Sequence, residues 1–297
     1  MFTSSSALSL HRSASDLSRR VRLVHVPPFS FREFLFFETG EELPSLSFED
    51  IWDEQRARAY YGKVIHAESR FKPYLEGRNY PFAMGKVELR PLFRTILDTI
   101  LDRDLLATGR VSLEESYEVR KLLRFIGTSL AEDISYYSIA RNTGVSRYKA
   151  EKFADLLEKA FVVRQVMPLG ANVLKEPKIL LAPPFRLLYK EYDDCVGALR
   201  EDFFVGAMAD LGFGLHYLKS LRGEKVPDYV VDDTVFEIGG ASKGPAQFKG
   251  FNAFIPANNR PRNWLELKNE LIRRLEGIAQ TTGVTAPVGG RPTRPDL

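Results

Sequence analysis

The sequence holds one cysteine, Cys195, among its 297 residues, so no internal disulfide can form. That suits a reducing compartment. Asp193 and Asp194 precede this thiol, and neighbouring acids raise a thiol pKa, so Cys195 reads as structural rather than nucleophilic. Histidine is scarce too: His11, His25, His66 and His216 lie too far apart for a metal-ligand spacing. No apolar run approaches the roughly 20 residues of a membrane span. The N-terminal stretch lacks the charged region that opens a secretory signal. Residues 1–20 are rich in Ser and Arg and nearly free of acid, a superficial match to an organelle transit peptide. The cytoplasm is the expected location. No G-x-S-x-G occurs, and neither does G-x-x-x-x-G-K-[ST]. Without a glycine loop opening a helix, no set of backbone amides is available to cradle a triphosphate. The chain alone is therefore expected not to hydrolyse ATP. Charge of one sign is also missing: 42 Lys and Arg against 39 Asp and Glu leave +3. That bias is too small to argue nucleic-acid binding by itself.

What is present is ordinary for a globular protein, with 44% hydrophobic and 27% charged residues. The length suffices for two or three domains. Residues 1–40 read as short strands and turns: Met1–Ser6, Val21–Val26 and the segment PPFSFREFLFF. Phe29, Phe31, Phe34, Phe36 and Phe37 are dense enough to be core. Ser30 with Glu33 three residues on could instead form a capping box. Residues 47–127 are helical in pattern, with Ser47 as an N-cap and a Pro/Gly-containing break at FKPYLEGRNYPFAMG. In YYSIARNTGVSRYKAEKFADLLEKA a helix, a turn at Gly144 and a second helix capped by Ser146 are expected. The strand FVVRQVMPL follows, which makes the order that of a winged helix. Beyond it come KILLAPP as a strand and REDFFVGAMADLGF as a helix. Three strands, HYLKS, PDYVV and TVFEIGG, give an α/β unit. The terminal TTGVTAPVGGRPTRPDL is expected to be disordered.

The candidate chemistry lies in PDYVVDDTVFEIGG. If Asp232 and Asp233 form a two-residue turn, Val231 pairs with Thr234 and Asp228 falls opposite Glu237. Directly opposed residues have Cβ atoms about 4.5–5.5 Å apart on one face. Two acids so placed call for a cation, and a hard ion such as magnesium prefers carboxylate oxygens. Such an ion can activate water or stabilise charge on a phosphodiester. Lys243 would supply a further positive charge, and Glu201 on the preceding helix a third carboxylate. A merely solvated acid pair at a sheet edge, or a longer turn with a shifted register, remains open. The second candidate is the second helix of the helix-turn-helix, where Arg147, Lys149 and Lys152 would meet DNA. Lys159 adds to them, but Glu151, Asp155 and Glu158 reduce the helix to +1. That balance is weak for lying along phosphates, and the same fold also serves protein packing.

In their order these segments resemble prokaryotic AAA-type ATPases whose C-terminal half is a domain of unknown function with a restriction-endonuclease-like core. The resemblance rests on Phe2–Ala7, Ser15–Arg20, Val21–Val26, Pro28-Phe-Ser-Phe-Arg-Glu-Phe34 and Tyr74–Pro81. It continues through Ile139–Leu169, Arg200–Val205, Val226-Pro-Asp-Tyr229 and Phe236-Glu-Ile-Gly-Gly240. It implies that Thr3 or Ser4 holds the sensor-1 position and that Arg19 or Arg20 lies near a neighbouring nucleotide. It also implies that Glu201, Asp228 and Glu237 match the endonuclease-like acids. An intact member would use ATP and magnesium. This chain alone is expected to need no cofactor, apart from a magnesium ion at the C-terminal domain if that domain is active.

Two departures qualify the resemblance. The Walker A and B motifs, which precede sensor 1 in the family, are missing. Gly239 stands where the nuclease pattern has lysine. The expected fold class is mixed α/β. It divides into an AAA core remnant at 1–40, a helical lid at 41–111, a winged helix at 112–172, a restriction-endonuclease-like domain at 173–281 and a disordered tail at 282–297. The expectation is a truncated AAA-type protein that contacts DNA, a protein partner or a second copy of itself, with no membrane span. A magnesium-dependent nuclease and a non-catalytic winged-helix DNA-binding protein are the alternatives.

Overall fold

The computed structural model describes residues 26–45, 67–129, 134–170, 176–218, 227–232 and 234–238, with Leu8, Gln55, Ala59 and Tyr60 besides. The class is mixed α/β, rich in helix, with small sheets. The chain divides into two compact units. One is Met1–Gln165 with Lys178–Gly212, the other Val166–Pro177 with Phe213–Leu297. Among the described residues no helix is long and apolar enough to cross a membrane.

In the first unit α1 spans Phe31–Thr39, where a strand was the first expectation. Ser30 and Glu33 close a reciprocal capping box: Ser30 Oγ accepts the Glu33 N–H, and the Glu33 carboxylate accepts the Ser30 N–H at 2.7 Å. Gly40 ends the helix with φ 73°, the left-handed conformation that glycine tolerates. The core assignment needs correction here. Phe34 and Leu35 are buried, but Phe36 is 44% and Phe37 55% exposed. Successive helical residues turn by about 100°, so four consecutive apolar residues cannot all face one core.

Helix α2, Ala67–Pro73, runs on into a π-helical turn, Tyr74–Arg78, where Gly77 leaves helical geometry with φ 114°, so the expected break falls at that glycine. Helix α3, Leu89–Thr99, likewise continues through a π-helical turn at Ile100–Asp104. Buried Phe93, Leu97 and Leu101, with Leu105 of the short helical segment Leu105–Ala107 that follows, recur every fourth position. They share one core with Val119, Leu122, Leu123 and Ile126 of α4, Leu113–Thr128. Helices α5, Tyr136–Thr143, and α6, Arg147–Lys159, add Ile139, Phe153 and Leu157 to that core. Strand β1, Val163–Val166, pairs with β2, Lys178–Leu181. The short α7, Pro183–Arg186, leads to α8, Tyr192–Asp210, whose first turn is broken at Cys195. Burial pushes the Cys195 thiol pKa up, in line with an inert role.

The second unit contains an antiparallel sheet of β3, Leu215–Tyr217, β4, Tyr229–Val231, and β5, Thr234–Phe236. Every residue of β4 and β5 is buried. Val230 and Val235 pair across the hairpin and pack with Leu169 and Leu218.

Candidate functional site

The segment from α4 to β1 places three helices and a strand in immediate succession. Ser135 caps α5 and Gly144 ends it with φ 74°. Only Gly144–Ser146 separate α5 from α6, and Ser146 caps α6 by accepting the Lys149 N–H. A helix, a three-residue connection and a second helix therefore follow one another where the sequence led us to expect them. Ala150, Phe153, Ala154 and Leu157 face the core.

The cations proposed for DNA contact are occupied differently. Lys149 Nζ lies 2.6 Å from Glu118 of α4 and 3.6 Å from Glu115. Lys152 Nζ lies 3.1 Å from Glu115. Glu115 also accepts the Ser112 N–H that completes the cap of α4. Desolvation opposes the charge on Glu115, but that backbone bond and the two lysines hold its carboxyl below the ordinary value. The bond to Glu118 holds the Lys149 ammonium above its ordinary range. Arg147 is exposed at the first position of α6. The outer face of α6 carries Tyr148, Glu151, Asp155 and Lys159, all exposed. They line an open groove of about 260 Å³ with Arg110, Lys152 and Leu156. Tyr148 is 76% exposed. Asp155 also accepts a bond from Gln165 of β1 at 3.1 Å.

The second candidate keeps the expected register. Val231 pairs with Thr234, Val230 with Val235 and Tyr229 with Phe236. Asp228 and Glu237 are the next residues outward, just beyond the last of these pairs, and continuing the register by one step would set them opposite each other. Asp232 takes φ 49°, and its backbone N–H and side chain bond Gly214 on β3's side of the sheet. Asp228 Oδ2 accepts the Ile238 N–H at 2.7 Å, and Glu237 is buried. Carboxylate oxygens are the donors that a hard divalent ion prefers. Among the described residues, no group of three or more His, Cys, Asp or Glu could hold a metal.

Residues 82–183 match a family described as a domain of unknown function (DUF8612). This stretch runs from just before α3 to the first residue of α7, and so contains α4, α5, α6, β1 and β2. The chain is also similar to the uncharacterized protein MJ1637 of Methanocaldococcus jannaschii, with 31% identity over 216 residues. The match takes in 67% of this chain and 46% of that protein, so the chain spans about half the length of its relative. No solved structure matches.

The remaining candidates are placed as follows. Glu201 is buried in α8 and receives Lys178 Nζ of β2 at 2.7 Å. Removing either partner of this buried pair would strand the other charge. Thr3, Ser4, Arg19, Arg20 and Lys243 lie outside the described residues. Tyr148, Glu151 and Asp155 emerge as a surface that cation counting passed over. Their spacing of three and four residues was the available signal, because it sets them on one side of a helix.

Proposed function

We propose that this chain is a winged-helix docking module of the AAA-type ATPase family, that it engages a protein partner through the outer face of α6, and that it does not hydrolyse ATP alone. The order α4, α5, α6, β1, β2 supports the winged-helix reading, and the succession of sequence motifs supports the family. The observation that carries the docking role is the charge distribution on α6. Lys149 and Lys152 are spent on Glu118 and Glu115, while the outward stripe bears Glu151 and Asp155 at its centre. Carboxylates facing outward repel a phosphate backbone, whose neutralisation by cations supplies most non-specific affinity. An exposed tyrosine among mixed charges instead suits a protein interface. A labelled DNA duplex titrated with the chain in low salt should show no saturable binding. Saturable binding that Arg147→Glu abolishes would defeat the proposal.

A second reading, a magnesium-dependent nuclease, is favoured by the β4–β5 register, which continued one step would set Asp228 opposite Glu237. In that role both carboxylates would hold the ion, which would supply charge stabilisation at a phosphodiester. Gly239 in place of lysine weakens it. A supercoiled plasmid incubated with the protein and magnesium is expected to remain intact. Nicking that requires magnesium and disappears in Asp228→Ala would establish the nuclease instead.

A further inference from the structure

The exposed rings of α1 form a second surface, independent of α6. Phe29 stacks on Phe37 with ring centroids 4.5 Å apart, and Phe37 meets Phe36 edge-on at 5.5 Å. Phe36 and Phe37 are exposed, and Val26, three residues before Phe29, is 82% exposed. Among the described residues the charge around this short ladder is mostly negative. Glu38, Glu41 and Glu42 are all exposed, and among the described residues no side-chain partner holds any of them. The nearby cation, Arg32, donates to the Leu43 carbonyl and to Ser45 Oγ, both neutral groups.

The acidic segment after α1 is held in place. Thr39 Oγ1 donates to the Leu35 carbonyl and accepts the Glu41 N–H at 3.1 Å. The Arg32 bonds fasten residues 43 and 45 back onto α1, and Leu43 is buried with Phe34 and Leu35. Glu41 and Glu42 therefore belong to the same folded surface as the rings rather than to a freely moving arm.

We infer that this surface docks a basic amphipathic segment of another polypeptide, one that lays apolar side chains on Phe36 and Phe37 and sets Lys or Arg against Glu38, Glu41 and Glu42. Contiguous exposed aromatic rings bounded by charge mark an interaction surface. The sign of the charge selects among occupants. Nucleic acid and anionic lipid are repelled by three carboxylates. A second copy would bring the same acids against themselves, since a two-fold interface sets a surface on itself. A cationic, one-faced helix satisfies both features together.

The test uses the full chain and three fluorescein-labelled synthetic peptides: an amphipathic leucine–lysine helix, a scrambled peptide of the same composition, and a leucine–glutamate helix of the same pattern. Anisotropy should show saturable binding of the first, weakened by added salt. The scrambled peptide should bind about tenfold more weakly or worse, and the glutamate peptide not at all. Phe36→Ser, Phe36→Ser/Phe37→Ser and Glu38→Lys/Glu41→Lys/Glu42→Lys should each lose about tenfold or more while circular dichroism is unchanged. Because the affected side chains are exposed, the variants test the surface rather than the core. Equal binding of amphipathic and scrambled peptides, or affinity insensitive to Phe36→Ser/Phe37→Ser, overturns the inference. So does self-association in sedimentation that Phe36→Ser abolishes. None of these outcomes involves α6, so they are distinct from failure of the docking role proposed there.

Discussion

Gly77→Ala is expected to remove about 4 kcal/mol of folding stability, a large part of what a domain has. Two costs combine. Gly77 holds φ 114°, outside the range that an alanine adopts without strain. A Cβ built there would lie 2.2 Å from Phe93 Cε2 and 2.6 Å from Cζ. The Phe93 ring cannot retreat: it is 2% exposed and packs with Tyr80, Phe82 and Phe185 at centroid distances of 5.3, 6.0 and 5.8 Å. Urea unfolding followed by tryptophan-independent far-ultraviolet dichroism would read the loss as a lowered midpoint. Phe93→Leu placed in the Gly77→Ala background should restore part of the midpoint, because it relieves the clash and leaves the backbone strain. An unchanged midpoint in Gly77→Ala would show that the π-helical turn at Tyr74–Arg78 yields freely.

Asp202→Ala is expected to cost about 3–5 kcal/mol, since it strands a buried cation. Arg186 is fully buried. It meets both carboxylate oxygens of Asp202, and its Nη1 donates to the Ile126 carbonyl at 3.1 Å and the Ser129 carbonyl at 3.3 Å. One side chain thus closes the C-terminus of α4 and ties it to α8. Asp202 also accepts the Leu181 N–H of β2 at 3.2 Å. Burial pushes the Asp202 carboxyl pKa up to about 6 against the pull of Arg186, so the pair still carries its charges at neutral pH. Arg186→Met alone should be similarly costly, because it leaves two carbonyls without a donor. The double variant should lose less than the two single losses added, by about 1–3 kcal/mol. Strict additivity would mean that the two side chains do not stabilise each other.

The features legible in the sequence were local. Ser30 with Glu33, and Ser146 before a helical run, predict caps because only a few backbone groups are involved. The register of the β4–β5 hairpin was likewise readable, since a two-residue turn fixes it. The charge state of α6 was not readable in this way. Lys149 and Lys152 count as free cations until α4 folds against them, and Glu118 and Glu115 lie 31 and 37 residues away. The same holds for Arg186: its carboxylate is 16 residues on, and its carbonyl partners are 60 and 57 residues back. The phenylalanines of α1 misled for a simpler reason. Apolar density shows that some rings are buried, but the helical turn decides which ones.

The docking role is tested most directly by reversing the charge on the α6 stripe. A fluorescent duplex is titrated at low and moderate salt with the native chain and with Glu151→Lys/Asp155→Lys. The account predicts no saturable binding by the native chain, and salt-sensitive binding gained by the variant once its outward face is cationic. Tight binding by the native chain, reduced by Arg147→Glu and little changed by the lysine pair, would contradict it.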